Sequence, residues 1–166
     1  MLSKNVEKIL VEQIQKEGFS SNLYLAMASW AEINGYEGIS RWFYAQSDEE
    51  RIHMLKIIGY VNERGGKAII PEFEKPPMVF KTVNDAFVKV LEHEQFITKS
   101  INEIVAVCMS EKDFTTHNWV QWFVNEQIEE EASVRAILDK LKLVGDKNMY
   151  MFDRDILSMR NKAATE

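Results

Sequence analysis

The segment SDEERIH, residues 47–53, places a carboxylate and an imidazole inside a helical pattern of apolar residues. With steps of four and three residues, the pattern runs through Ile39, Phe43, Gln46, Glu50, His53, Ile57 and Tyr60. Such spacing is typical of the buried face of an amphipathic helix. Because Glu50 and His53 occupy consecutive positions of that face, the sequence predicts a polar site buried inside a helical core.

The composition indicates one soluble domain, residues 1–166, because 46% hydrophobic residues suffice for a core in a chain of this length. A net charge of −6 argues against nucleic acid and anionic membrane partners. The N-terminus has no continuous apolar stretch of the kind that a secretory signal needs, and no apolar run could span a bilayer. A single cysteine, Cys108, excludes an internal disulfide, so we expect a cytoplasmic protein.

Helical periodicity predicts an all-α protein with four long helices and one short helix. The predicted ranges are 4–33, 38–65, 83–110, 114–143 and, for the short helix, 149–161. Each long segment carries a continuous apolar seam, and four facing seams predict a four-helix bundle.

The connections predict the topology of this bundle. Two of them are about four residues long and force antiparallel neighbours, whereas the third, about 66–82, is long and contains three prolines. A helix of 28 residues spans roughly 42 Å, and 17 extended residues reach roughly 56 Å. The long connection can therefore cross the whole bundle and join two antiparallel hairpins.

The two hairpins repeat each other weakly when the sequence is shifted by 77 residues. Under this shift the polar residues that interrupt the seams coincide, as Glu17 with Glu94, Glu49 with Glu126, Glu50 with Gln127 and His53 with Glu130. Since these positions lie near the middle of each helix, we expect the polar residues to meet at mid-height of the bundle.

A polar layer of this composition predicts a site for two metal ions. Four buried carboxylates without cations would cost several kcal/mol each, and no Lys or Arg occupies a neighbouring seam position. Two divalent cations cancel four carboxylate charges. Oxygen-rich ligands with one nitrogen favour iron or manganese over structural zinc. Glu50 and His53, three residues apart on one helix, can reach the same ion.

The residues resemble the ferritins over about 1–160, and most closely the bacterial non-haem ferritins. The resemblance rests on NEQIEEE (125–131), EERIH (49–53), SSNLYLAM (20–27) and HEQFI (93–97). It implies a ferritin-like four-helix bundle with one long crossover loop and a short fifth C-terminal helix. It also implies an iron-storage protein that oxidises Fe(II) with O2 or H2O2 and stores ferric oxyhydroxide.

By resemblance, the ferroxidase centre holds two Fe ions and a third iron site lies beside it. The implied ferroxidase residues are Glu17, Glu50, His53, Glu94, Gln127 and Glu130. The implied third-site residues are Glu49, Glu126, Glu129 and, again, Glu130. We expect Glu17 and His53 to hold one iron, Glu94 and Glu130 the other, and Glu50 to bridge them. Gln127 would act by hydrogen bonding or weak ligation.

Some residues near the predicted centre leave alternatives open. Tyr24 lies two turns from Glu17 on the same face and either hydrogen-bonds a ligand or supplies an electron, or is an ordinary buried tyrosine. His93 and His117 lie off the seams and are expected to be solvated. Gly18 places a weak helix former directly after Glu17, which would loosen the site.

No haem is expected. The bacterioferritins, a sister family, carry a haem-ligating Met directly after the glutamate of the second helix, where this chain has Arg51. They also have Glu-x-x-His where this chain has Gln127 and Glu130.

The fifth segment, residues 149–161, predicts that the protein assembles into an oligomer. Met149, Phe152, Ile156 and Met159 lie on one helical face, for which we expect no partner inside the subunit. By resemblance, this helix packs beside its copies around the four-fold axes of a homo-oligomer of 24 subunits.

Two other functions remain open at this point. A di-iron oxygenase or peroxidase acting on a small molecule would need a substrate pocket. A metal-free helical interaction module would have to tolerate the buried carboxylates.

Overall fold

The structure, a computed structural model, describes residues 1–160 and is all-α there, with no strand in that range. Its helices are α1 Lys4–Ile33, α2 Glu37–Glu63, α3 Val83–Ser110, α4 Phe114–Val144 and α5 Met149–Asp155, the last followed by a 3₁₀ turn, Ile156–Met159. The predicted ranges of the four long helices agree to within two residues. The predicted fifth segment is α-helical only as far as Asp155, and its final residue, 161, lies outside the described residues, as do residues 161–166 of the predicted domain.

The helices form a four-helix bundle with one long crossover, as the sequence predicts. α1 packs against α2, α3 against α4, and α1 also against α3. The crossover, residues 64–82, joins the two hairpins. Helix starts carry local caps, since the side chains of Ser3, Thr82 and Asp113 each accept a bond from a backbone N–H three residues on.

The start of α2 has no side-chain cap of its own and takes one from α5. Gly38 and Ile39 donate their backbone N–H groups to Asp153 at 3.1 and 2.9 Å. A Cβ at Gly38 would collide with the backbone carbonyl of Asp153. This contact attaches α5 to the end of the bundle, and a carboxylate at a helix N-terminus is also electrostatically favourable.

The apolar face of α5 packs inside its own subunit, so the expectation that it lacks a partner there was wrong. Phe152 and Ile156 are 4% and 0% exposed, and the Phe152 ring lies 6.5 Å from that of Phe87 in α3. The reason is that Asp153 anchors α5 across the bundle end, which turns this face onto the core. Tyr150 and Met151, on the other side of α5, remain 80% and 50% exposed.

The core consists of two apolar clusters separated along the bundle by polar residues. One cluster lies at the α5 end and includes Tyr24, Trp42, Phe43 and Phe87. The other lies at the opposite end and includes Leu10, Ile57, Ile101 and Phe123. Among the described residues, no helix is both long and apolar enough to cross a membrane.

Candidate metal centre

The polar layer predicted at mid-height is present and buried. Its fully buried polar side chains include Gln13, Glu17, Ser20, Gln46, Glu50, His53, Glu94, Ser100 and Gln127. All four long helices contribute to the set. Helical seams therefore bring carboxylates from separate parts of the chain to one level of the bundle.

Glu17, Glu50 and His53, which we call the first half-site, form the tightest group. Each offers one ligand atom, and these atoms lie within 4.8 Å of one another. Their exposed fractions are 1%, 2% and 3%. Within the described residues, Glu17 Oε2 and Glu50 Oε2 have no hydrogen-bond partner. Buried carboxylate oxygens rarely remain unpaired, so this group is suited to a cation.

Glu94, Gln127 and Glu130, which we call the second half-site, are held by hydrogen bonds instead. The Tyr24 hydroxyl donates a short bond to Glu94 Oε1, and Gln127 Nε2 donates to Glu94 Oε2 at 3.1 Å. Gln46 Nε2, from α2, donates to Glu130 Oε2 at 2.6 Å. A metal entering this half-site must therefore share or displace existing donors.

The charges of the two half-sites are poorly compensated by the protein. Burial raises the pKa of Glu50 well above its usual range, and Glu94 and Glu17 raise it further. Burial also raises the pKa of Glu94, to about 7, although the bonds from Tyr24 and Gln127 oppose the rise. The pKa of Glu130 is raised well above its usual range by burial, with added repulsion from Glu94 and Glu49. A divalent cation among these carboxylates would relieve all three penalties.

The three remaining acidic residues form the outer edge of the centre. Glu126 Oε2 lies 3.9 Å from His53 Nε2, and burial raises the pKa of Glu126 against the opposing effect of His53. Glu49 is half-buried and forms an ion pair with Arg160, whereas Glu129 is exposed. The charges of Glu129 and Glu49 raise the pKa of Glu126 further.

Tyr24 is fully buried between the apolar cluster and the second half-site. Burial raises its pKa well above the usual value, and the nearby carboxylates of Glu94 and Glu50 add to the effect. The ring contacts those of Trp42 and Phe43, with centroids 6.4 and 6.2 Å away. Of the alternatives left open by the sequence, the hydrogen bond to a predicted ligand is the one seen in the geometry.

Several supporting residues were not assigned a role from the sequence. Gln13 Nε2 donates to Glu17 Oε1 at 2.8 Å, and Ser100 Oγ donates to Gln13 Oε1 at 2.5 Å. Gln13 and Gln46 lie on apolar seams, four residues before Glu17 and Glu50. A polar residue one turn before a buried carboxylate is the signal that could have identified them. Arg160, which donates to Gln46 Oε1 at 2.6 Å, carries no such signal.

The expectation that His93 is solvated was wrong. Its Nε2 lies 2.7 Å from Ser20 Oγ, and its ring lies near those of Phe19 and Phe96. Burial lowers its pKa to about 4, so the ring is neutral at pH 7. Although off the main seam of α3, the residue faces the α1–α3 contact. His117 is only partly exposed, so it too is less solvated than expected.

Gly18 has a structural explanation that the sequence did not provide. The ring of Phe73, from the crossover, lies against α1 where a Cβ at Gly18 would collide with it. Gln15 Nε2 also donates to the carbonyl of Glu72 at 3.1 Å. The glycine thus lets the crossover approach α1 beside Glu17.

Comparisons with known proteins agree with this geometry. A family model described as the ferritin-like domain matches residues 7–144. A bacterial non-heme ferritin from Campylobacter jejuni is 46% identical over 158 residues, which span 94% of this chain and 95% of that protein. A probable bacterial non-heme ferritin-like protein from Haemophilus influenzae is 40% identical over 165 residues, spanning 98% of this chain and 100% of that protein.

Solved structures give the same result. An open-pore ferritin from the hyperthermophilic archaeon Archaeoglobus fulgidus superposes with a TM-score of 0.91 at 40% sequence identity. The match covers 93% of this chain and 96% of that one. With the family model, the relatives and the buried carboxylate–histidine group in agreement, this chain belongs to the ferritin family, as its resemblance to bacterial non-haem ferritins predicted.

Proposed function

We propose that this protein stores iron and is a ferroxidase, which oxidises Fe(II) inside each bundle. The observation that carries the proposal is the first half-site, where two buried carboxylate oxygens lie near a buried imidazole and have no hydrogen-bond partner among the described residues. Relatives named bacterial non-heme ferritins along almost the whole chain support the same function.

The six central residues divide into ligands for two iron ions, which are substrates here. We assign Glu17 and His53 to the first ion, Glu94 and Glu130 to the second, and Glu50 to a bridge between them. Gln127 is a hydrogen-bond donor to Glu94 and holds its carboxylate in place. Two Fe(II) ions lose one electron each, and O2 or H2O2 accepts both electrons.

A third iron site at the outer edge is part of the proposal. We assign Glu49, Glu126 and Glu129, with Glu130, to this third ion. Mutual repulsion between these carboxylates favours a cation there. Glu129 is exposed and Glu49 half-buried, so this site opens toward solvent.

Storage also requires a closed assembly, because one bundle can oxidise iron but cannot enclose a mineral. We propose a homo-oligomeric shell of 24 copies, roughly 460 kDa from a chain of 19.3 kDa, in the cytoplasm. Phe152 and Ile156 are used inside the subunit, so the contacts between copies of α5 must come from its other side, where Tyr150 and Met151 are exposed. Light scattering that gave a monomer, a dimer or a 12-mer would contradict the shell.

The two other functions fit less well. A metal-free interaction module leaves the partnerless oxygens of Glu17 and Glu50 unexplained. A small-molecule oxygenase has no support among the named relatives, which are ferritins.

Haem binding is not part of the proposal, and the purified protein should show no Soret band.

Aerobic addition of Fe(II) to the apo-protein tests the proposal. Absorbance should show rapid formation of Fe(III), and electron microscopy should show mineral-filled particles. Loss of the bridging carboxylate in Glu50→Ala should slow the rapid phase more than 100-fold, since even indirect changes around a metal cost 10–100-fold. Glu12→Gln removes one charge from the exposed face of α1 and should oxidise normally. Unchanged oxidation in Glu50→Ala would exclude the di-iron assignment.

A further inference from the structure

Arg160, at the end of the described chain, reaches back from the C-terminal segment to the outer edge of the metal centre. Its guanidinium donates to Glu49 Oε2 at 2.5 Å, to Gln46 Oε1 at 2.6 Å and to the carbonyl of Ala45 at 3.1 Å. The Arg160 side chain is 23% exposed and that of Glu49 is 44% exposed. Three acceptors on one face of α2 thus hold this cation in a defined position.

These bonds connect Arg160 to two carboxylates of the proposed third site. Glu49 is bound directly. Glu130 is bound through Gln46, whose Nε2 donates to Glu130 Oε2 while its Oε1 accepts from Arg160. Because an amide cannot exchange its donor and acceptor without flipping, the bond from Arg160 fixes which end of Gln46 faces Glu130.

We propose that Arg160 is an internal cation that competes with iron for the third site. This inference rests on the proposed function, since it assumes that Glu49, Glu126, Glu129 and Glu130 bind a third ion. An ion there needs the oxygens of Glu49, which Arg160 already binds. It also adds positive charge next to the guanidinium, and like charges at this distance repel.

Competition of this kind couples the third site to the C-terminal segment. When iron takes Glu49, Arg160 loses its charged partner, and the segment of residues 156–160 loses one of its contacts with α2. Conversely, a docked Arg160 weakens the binding of an ion at the third site. The bond to Gln46 acts through Glu130 and makes Arg160 a positioning residue for the second half-site.

Calorimetric titration of the apo-protein with Zn²⁺, which has no redox chemistry, measures the competition. In the intact protein we expect two tight binding events per chain and a weaker third one. The third event is identified by its loss in Glu129→Gln. In Arg160→Gln the third event should become about 5- to 10-fold tighter, because a partly exposed charge-assisted pair is lost, while the first event, at Glu17 and His53, stays unchanged.

Two further variants separate competition from a general charge effect. Arg154→Gln removes the same charge from α5, six residues earlier, but Arg154 pairs with Asp155 on the surface, so the third event should not change. Arg160→Lys keeps the charge but lacks the planar fork needed for three acceptors, so its third event should lie between the other two. Hydrogen exchange of residues 156–160 should rise when the intact protein binds its third Zn²⁺.

The outcomes are distinct. An unchanged third event in Arg160→Gln, or an equal shift in Arg154→Gln, overturns the inference and leaves the proposed function standing. Two events in both the intact protein and Arg160→Gln also overturn it. Absence of the two tight events in the intact protein would overturn the proposed function itself.

Discussion

The two hairpins of the bundle place carboxylates at equivalent positions but treat them differently. In the first hairpin, α1–α2, Glu17 and Glu50 each have one oxygen near His53 that accepts no hydrogen bond from any residue of the range 1–160. In the second hairpin, α3–α4, the oxygens of Glu94 accept bonds from Tyr24 and Gln127. The first half-site is therefore arranged for a cation in advance, whereas the second is stabilised without one.

This difference suggests why the repeat is imperfect. Replacing a bridging Glu by Gln127 and a His by Glu130 gives the second half-site its own donor and removes its nitrogen ligand. Without a metal ion, such a half-site destabilises the folded protein less, since its buried carboxylates accept hydrogen bonds. We infer that the asymmetry lets the bundle fold before iron arrives and fixes the order in which ions bind.

The pH dependence of the apo-protein should separate the half-sites most strongly. Burial raises the pKa of Glu94 from 4.5 to about 7. Its neutral form therefore favours the folded state fully below pH 4.5, and this contribution is lost as pH rises to about 7. Glu94 alone should lower the free energy of unfolding by roughly 3 kcal/mol over that window, measured by chemical denaturation at fixed chain concentration. Glu50 should add to the fall as pH rises above its ordinary pKa, because burial, Glu94 and Glu17 all raise the pKa of Glu50.

Two further measurements serve as controls for this prediction. Glu94→Gln, which cannot ionise, should lack this contribution and lose about 3 kcal/mol less than the intact apo-protein between pH 4.5 and 7. Saturating Zn²⁺ should reverse the slope, because a metal binds the ionised carboxylates and gains from rising pH. Equal slopes in the apo-protein and in Glu94→Gln would show that the two half-sites do not differ in this way.

The next largest effect concerns the order in which the two half-sites bind Fe(II). His53→Asn should weaken the first Fe(II) bound in an anaerobic titration by about 100-fold, since it removes the nitrogen ligand of the prearranged half-site. Glu130→Ala should abolish the second event and leave the first within about threefold of its normal affinity. If both variants weakened the same event equally, the two half-sites would have to be treated as one.

Much of the fold and the central site could be predicted from the sequence because both depend on local spacing. Apolar seams of period 3.6 and sparse Gly and Pro fixed the long helices to within two residues. Interrupted seams at equal heights marked Glu17, Glu50, His53, Glu94 and Gln127, all of which are buried together in the polar layer. Their roles as iron ligands remain a prediction.

The contacts that escaped prediction join residues far apart in the sequence. Asp153 caps α2 from 115 residues away from Gly38, and Arg160 reaches Glu49 across 111 residues. Phe73 packs on Gly18 from within the crossover. No periodicity describes such contacts, since they depend on how the ends and connections fold back over the bundle. The wrong expectation for the α5 face had the same origin.

Tyr24→Phe should have a smaller effect, confined to the second half-site. The hydroxyl lowers the pKa of Glu94, so its loss should raise that pKa and let protons compete better with the metal. At pH 6 the second ion should bind about 5- to 10-fold more weakly, the effect of a change of up to one pKa unit, and above pH 8 the difference should shrink. Tyr150→Phe, whose side chain is exposed, is the matched control. A weaker first ion in Tyr24→Phe would contradict the separation of the half-sites.

The smallest effect concerns the place where the crossover packs on α1 of the first hairpin. Gly18 of α1 lies under Phe73, whereas the residue 77 positions later, Gln95 of α3, is exposed. Gly18→Ala gains helix propensity of up to about 1 kcal/mol but forces Phe73 away, at a typical cost of about 1–3 kcal/mol for overpacking. The Phe73 side chain can move aside, so we expect the free energy of unfolding to fall by about 1 kcal/mol, seen as a lower melting temperature.

In a Phe73→Ala background the same change should become stabilising, because only the propensity gain remains. Gln95→Ala should stay within about 0.5 kcal/mol of the parent, since Gln95 is exposed. If Gly18→Ala destabilised the protein in both backgrounds, the glycine would be required for packing around Glu17 itself. The two hairpins would then differ at the metal site as well as in their contact with the crossover.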